Sequence, residues 1–418
     1  MRNIFRLGLL ASVLVLTGCG DLDQPNNEQV VGGEIVVNVD ALSVKDSLIE
    51  AGAIPADYPG DVYGYKAYKV PYTTTDEEGN AVSVSGLMVI PTGLPDVVYD
   101  TLGLSLVSDS HGTIFADREA PSVIASTDNL PDGSALIISS LGGFVTLQAD
   151  YIGFGDSKEH YHPFILKKSL ANATVDFIKA AQVFASNNSI NLNGQLFLTG
   201  YSEGGYAALA TLKKIEIEGD TGLTVTLAAP MAGPYAVEAL ALSVLSAETL
   251  SVPSFMANVG YAYGLAHNED IESIVNAPYA SELETLFNGD FNRTQIDPEL
   301  THVTTGDNGL FVQEFVTSVF ADTNYWFRKA ARDNDVHTWA PQTTVRLVHC
   351  QGDEVIPFDI ALLAEGTMNV YGAADVEIIP VEAALGLPVL VGHADCGSLA
   401  YKVTTNVFAG IRQATIGY

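Results

Sequence analysis

The segment Gly200-Tyr201-Ser202-Glu203-Gly204-Gly205 constrains this 418-residue chain more than any other. Residues 195–198 ahead of it, Gln-Leu-Phe-Leu, read as a strand, and residues 206–215 behind it, with Ala207 and Ala208 near their start, read as a helix. A strand that passes into a helix within so few residues needs a sharp turn, and flanking glycines remove the Cβ atoms that would clash there. Such a turn holds Ser202 in strained backbone geometry and lifts its hydroxyl above the sheet. The helix beginning beside it adds free N–H groups and a partial positive charge. A purely structural or phosphate-binding turn is the alternative, although Walker-type phosphate loops also want a Lys that is missing here.

The surrounding chain alternates strands and helices. Residues 63–72 and 81–90 flank the turn signal Asp76-Glu77-Glu78-Gly79-Asn80 and predict a hairpin. Residues 102–107 and 144–147 are short apolar runs, with a helix expected over 130–141 between them. Leu170, Ala173, Phe177, Ala180, Ala181 and Phe184 recur at helical spacing and predict an amphipathic helix over 167–186. A strand is expected at 223–228, then helices at 235–246, 311–320 and 324–332, with strands resuming at 345–348 and 376–379. Strand–helix alternation of this kind buries a mostly parallel sheet between helical layers. The division expected is a core of 34–233 and 340–418, with a helical cap or lid at 234–339 covering the site.

Fifty Asp and Glu against nineteen Lys and Arg give a formal charge of −31. That excludes nucleic-acid binding, which needs cations to replace phosphate counterions, and electrostatic docking on anionic lipid. The N-terminus carries Arg2 and Arg6, an apolar run at 7–16, and then Leu16-Thr17-Gly18-Cys19. The run is too short to span a bilayer and reads as a secretory signal over 1–18. Its ending resembles the lipobox of bacterial lipoproteins, which implies lipid attachment at Cys19 and a membrane held by acyl chains alone. Residues 19–33 then form a polar tether, and Gly20 after the cysteine resembles the outer-membrane sorting pattern. The expected location is the outer membrane, periplasm or cell surface.

Together with Ser110-His111-Gly112-Thr113, Asp150-Tyr151-Ile152-Gly153-Phe154-Gly155, Gly352-Asp353-Glu354-Val355-Ile356-Pro357 and Gly392-His393-Ala394-Asp395, the turn at Ser202 resembles the α/β-hydrolases, and among them the secretory lipases of bacteria and fungi. The order Ser, Asp, His is the one this fold uses. The resemblance implies esterase or lipase chemistry on a small-molecule or lipid ester, with no metal and no cofactor.

The residue chemistry points the same way. A serine hydroxyl needs a base, and imidazole titrates in the useful range. Of eight histidines, His393 follows an apolar stretch and precedes a helix, whereas His349 lies within a strand and reads as buried structure. His111 belongs to the oxyanion segment, and His160, His162, His267, His302 and His337 have no such placement. Asp353 follows the 345–348 strand and can orient the imidazole, with Glu354 and Asp395 as rivals. Its alternative role is a helix N-cap, for which Asp359 is better placed. The oxyanion hole is expected from the N–H of Glu203 and one from Gly112 or Thr113, while the 150–155 segment is structural. Cys350 and Cys396 stand three residues before Asp353 and three after His393. A bridge would fasten both loops, and two buried thiols are the alternative. A serine peptidase of the same fold and a non-catalytic ligand-binding surface lipoprotein remain the competing functions.

Overall fold

The computed structural model describes residues 33–50, 53–125 and 133–418. The leader, Cys19 and all of the tether except Gly33 lie outside them. Among the described residues nine strands form one sheet: β1 (Glu34–Val39), β2 (Gly64–Thr75), β3 (Ala81–Thr92), β4 (Leu104–Ser110), β5 (Val145–Ala149), β6 (Leu192–Tyr201), β7 (Leu227–Met231), β8 (Val345–His349) and β9 (Val376–Pro380). Their order is β1-β2-β3-β5-β4-β6-β7-β8-β9. The first three and β5 pair antiparallel, and every pair from β5 to β9 is parallel. The α/β class expected from the alternation is the class observed.

Two helices follow from local sequence. Lys167–Asn187 turns its apolar stripe onto the sheet, burying Leu170, Phe177, Ile178 and Phe184. Glu203–Glu218 begins directly after Ser202 and runs to Gly219, whose left-handed φ of 68° ends it. The strand expected at 223–228 lies instead at Leu227–Met231. Buried Val225 fills the core from the preceding loop, so apolar character there reports packing rather than sheet pairing.

Between β7 and β8 the chain leaves the sheet and forms helices Val237–Ser246, Pro253–Ala266, Tyr279–Leu286, Gln313–Ala321 and Trp326–Asp333. Pro253–Ala266 has no counterpart in the sequence expectations. It carries apolar or small residues on all sides, including Gly260 and Gly264, so no amphipathic stripe marks it. Phe315 packs on Phe311 and Phe327, and all three belong to the same hydrophobic core as the sheet. No described helix is long and apolar enough to cross a membrane.

Candidate active site

Parallel pairing brings the chemistry to one end of the sheet. Ser110 on β4 pairs with Gly200 on β6, which places the 111–113 segment beside the turn at Ser202. Ser202 has φ 60° and ψ −120°, a strained conformation for a residue with a side chain. Its N–H donates to Met231 O at 2.9 Å, tying the apex of the turn to β7. A Cβ on Gly204 would lie 1.8 Å from Ser110 O, so only glycine lets the new helix start against β4.

The Ser202 hydroxyl stands 3.0 Å from His393 Nε2, and His393 Nδ1 stands 2.6 Å from Asp353 Oδ2. Asp353 Oδ1 accepts the N–H groups of Val355 at 3.0 Å and Ile356 at 2.8 Å. Burial alone would raise this carboxyl, but hydrogen bonds from His349 and His393, the His393 charge and the Ile356 N–H hold it well below the usual carboxylate range. It is therefore an anion facing the imidazole at neutral pH. Asp359 lies in the first turn of helix Phe358–Tyr371, where Pro357 is the N-cap residue and makes no side-chain cap. The cap-like bonds belong to Asp353 after all, made by the oxygen that His393 does not use.

His393 opens helix His393–Thr415 rather than sitting in a loop before it. The two rivals of Asp353 take other places. Glu354 Oε2 accepts the His393 backbone N–H at 3.0 Å, and Asp395 is exposed in the first helical turn. Tyr201 donates its hydroxyl to His393 O at 2.7 Å. Cys350 and Cys396 are joined in a disulfide with Cα atoms 6.1 Å apart. Glu382 adds a second tie, accepting N–H bonds from Gln351, Gly352 and Val391, and so fastens the acid loop to the base loop.

On the opposite flank, the Cβ position of Gly112 lies 3.1 Å from Tyr201 O and 4.0 Å from Ser202 Cβ. His111 fixes this segment through Nδ1 to Gly112 O at 2.8 Å and Nε2 to Asp150 O at 3.3 Å. Glu203 opens the helix, so its N–H has no intrahelical acceptor. Its side chain turns inward, and Oε1 meets His162 Nε2 at 2.8 Å. His162, given no role from sequence, thus anchors the residue next to the serine. Asp150 is buried beneath, held by Ser85 and Ser122, and the 150–155 loop is structural as expected.

Two cavities meet at Ser202. One, bordered by the helices between β7 and β8, is walled by apolar residues including Val237, Leu240, Val244, Leu250, Phe255 and Met256. The other is lined by His111, Gly112, Glu119, Tyr201, Arg293 and His393. Thr113 and Phe255 border both. Among the described residues no group of three or more His, Cys, Asp or Glu could hold a metal ion.

The sheet order, the strand–turn–helix at Ser202 and the imidazole at the sheet's C-terminal end define the α/β-hydrolase fold. Residues 134–216, about a fifth of the chain, match the prolyl oligopeptidase family, Peptidase S9. The rice cell wall degrading esterase LipA of Xanthomonas oryzae superposes with a TM-score of 0.77 at 21% identity, over 94% of this chain and 98% of that one. A Legionella pneumophila protein described as a candidate hydrolase gives 0.78 at 20% identity, over 92% and 99% of the two chains. Candida antarctica lipase A in its closed state gives 0.59 at 16%, over 88% and 78%. No curated protein matches the chain by sequence. These likenesses establish the fold, and with the site geometry they support a serine hydrolase.

Proposed function

We propose that the protein cleaves carboxylic esters through an acyl-enzyme, with Ser202 as nucleophile, His393 as general base and Asp353 as its orienting acid. The observation that carries this is the continuous chain from Ser202 Oγ through His393 to Asp353, at 3.0 Å and 2.6 Å. Ser202 O–H donates to Nε2, so the imidazole can take the proton as Oγ attacks the carbonyl carbon. The N–H groups of Glu203 and of Gly112 or Thr113 would receive the oxyanion. Imidazolium then returns its proton to the leaving alcohol, and water activated by the same imidazole releases the acid.

The two cavities suggest how an ester would lie. The apolar one under the cap suits an acyl chain, and the more mixed one, with Arg293 at its side, suits the leaving alcohol. Export with lipid attachment at Cys19 belongs to the same proposal, supported by the leader sequence and by a disulfide that suits an oxidising compartment.

Ser202→Ala should lower turnover of p-nitrophenyl butyrate by at least about a thousandfold. A loss smaller than tenfold, or failure of a fluorophosphonate probe to label Ser202, would overturn the mechanism. A peptidase is the second reading, favoured by the family match at 134–216. That segment holds strand β6, the turn, and the helices before and after them, which serve either chemistry. Rates on esters from acetate to laurate, set against aminoacyl amides, separate the two.

A further inference from the structure

His349 closes β8 and is fully buried. Its Nε2 lies 3.1 Å from Asp353 Oδ2 and 2.9 Å from Ile356 O. Both neighbours are acceptors, so Nε2 carries a proton and shares it between them. Nδ1 is buried and has no hydrogen-bond partner among the described residues. A proton placed there would be stranded without an acceptor, which selects the Nε2–H tautomer. The Phe358 ring, 5.6 Å away centre to centre, packs on the imidazole.

One carboxylate oxygen therefore serves two imidazoles. Asp353 Oδ2 receives His393 Nδ1–H and His349 Nε2–H, while Oδ1 is held by backbone alone. We propose that His349 is a positioning residue of the relay: its Nε2–H holds Asp353 Oδ2 where that oxygen meets His393, and takes up part of its negative charge. The proposal rests on the roles given above to Ser202, His393 and Asp353.

Two effects follow from losing the second donor. The carboxylate can pivot about its backbone-bonded oxygen, so the His393 ring is aimed less well and kcat falls. The charge on Oδ2 also faces His393 undivided, which favours imidazolium, so base activity begins at higher pH. The other charged or titratable groups around the pair are Glu354 on the His393 N–H, Glu382 on the loop N–H groups, Tyr201 on His393 O, and His111, Glu119 and Arg293 in the cavity that His393 lines. Arg346, three residues earlier on β8, pairs with Asp375 and Glu377. None of these depends on the His349 side chain.

The test compares His349→Leu with His349→Gln, whose amide keeps an N–H donor, on p-nitrophenyl butyrate from pH 5 to 9. A hydrogen bond to a charged group corresponds to about a tenfold change. His349→Leu should therefore lose about tenfold in kcat with KM within about twofold, and its acid limb should move up by about half a pH unit. His349→Gln should recover kcat to within about threefold and restore the limb. A folded Leu variant with the wild-type profile would overturn the proposal, as would a folded Gln variant no better than Leu. Nitrogen-15 histidine NMR of the wild-type protein at pH 8 decides without any turnover: His349 should show the Nε2–H tautomer, and an Nδ1–H signal ends the case. If no ester is hydrolysed while that tautomer is seen, the esterase reading has failed and the His349 geometry has not.

Discussion

Asp150 and Asp353 both follow strands of the parallel sheet at its C-terminal end, and both are buried. Asp150 Oδ2 accepts the hydroxyls of Ser85 at 2.6 Å and Ser122 at 2.5 Å, and Oδ1 accepts the Ser122 N–H at 2.9 Å. Burial outweighs those bonds and pushes the Asp150 carboxyl above its ordinary value. At Asp353 burial also acts upward, but imidazole and backbone N–H donors outweigh it. The donors make the difference. A serine hydroxyl can rotate and accept a bond once the carboxyl is protonated, whereas a backbone N–H can only donate. Asp353 is thereby fixed as an anion at the serine's imidazole, while Asp150 serves as a hydrogen-bonding post. The loop below Asp150 is shaped to it: a Cβ on Gly155, at φ 58°, would lie 2.4 Å from its carboxylate oxygen.

Substitution by asparagine should separate the two sites most widely. Asp353→Asn should lower kcat on p-nitrophenyl butyrate by about a thousandfold or more, with KM little changed, since an amide neither stabilises imidazolium nor fixes the productive tautomer. A loss near threefold would erase the distinction between the two aspartates.

The disulfide gives an intermediate effect, because only the Asp353 loop is covalently tied to the base. Replacing Cys350 and Cys396 together by serine opens a link spanning 46 residues and should cost about 3 kcal/mol in chemical unfolding. Turnover should fall by several-fold as the two loops loosen. Unchanged stability and turnover would show that Glu382 suffices.

Asp150→Asn should have the smallest effect, less than about threefold in kcat, because the amide oxygen can take the Ser122 N–H while the Ser85 and Ser122 hydroxyls turn to accept from its NH2. The stability sign is specific. The folded Asp150 carboxyl sits above its ordinary value of 3.8, so its contribution is fully present below that pH. It is lost as pH rises through the raised folded value. The wild type should therefore lose ground to the non-titrating variant between pH 4 and pH 8, measured by urea unfolding. The opposite slope would mean that the serine bonds dominate.

Much of this was legible in the residues. Glycines around Ser202, placed between an apolar strand and a small-residue helix, marked the turn, and the stripe from Leu170 to Phe184 marked its supporting helix. Other partners left no local signal. His349 sits in an apolar strand and looks like filler until β8 and the loop after it fold back on each other. His162 is 41 residues from Glu203, and Glu382 binds N–H groups up to 31 residues away. Helix Pro253–Ala266 hid because burial on all sides erases the periodicity that exposes a helix to inspection.

Short stretches of chain carry the alternation of elements, the strained bend, and the order of serine, acid and base. Tertiary structure alone decided which donors surround each carboxylate. That outcome depends on distances between strand ends, set by pairing across the whole sheet, and no short stretch of chain encodes them.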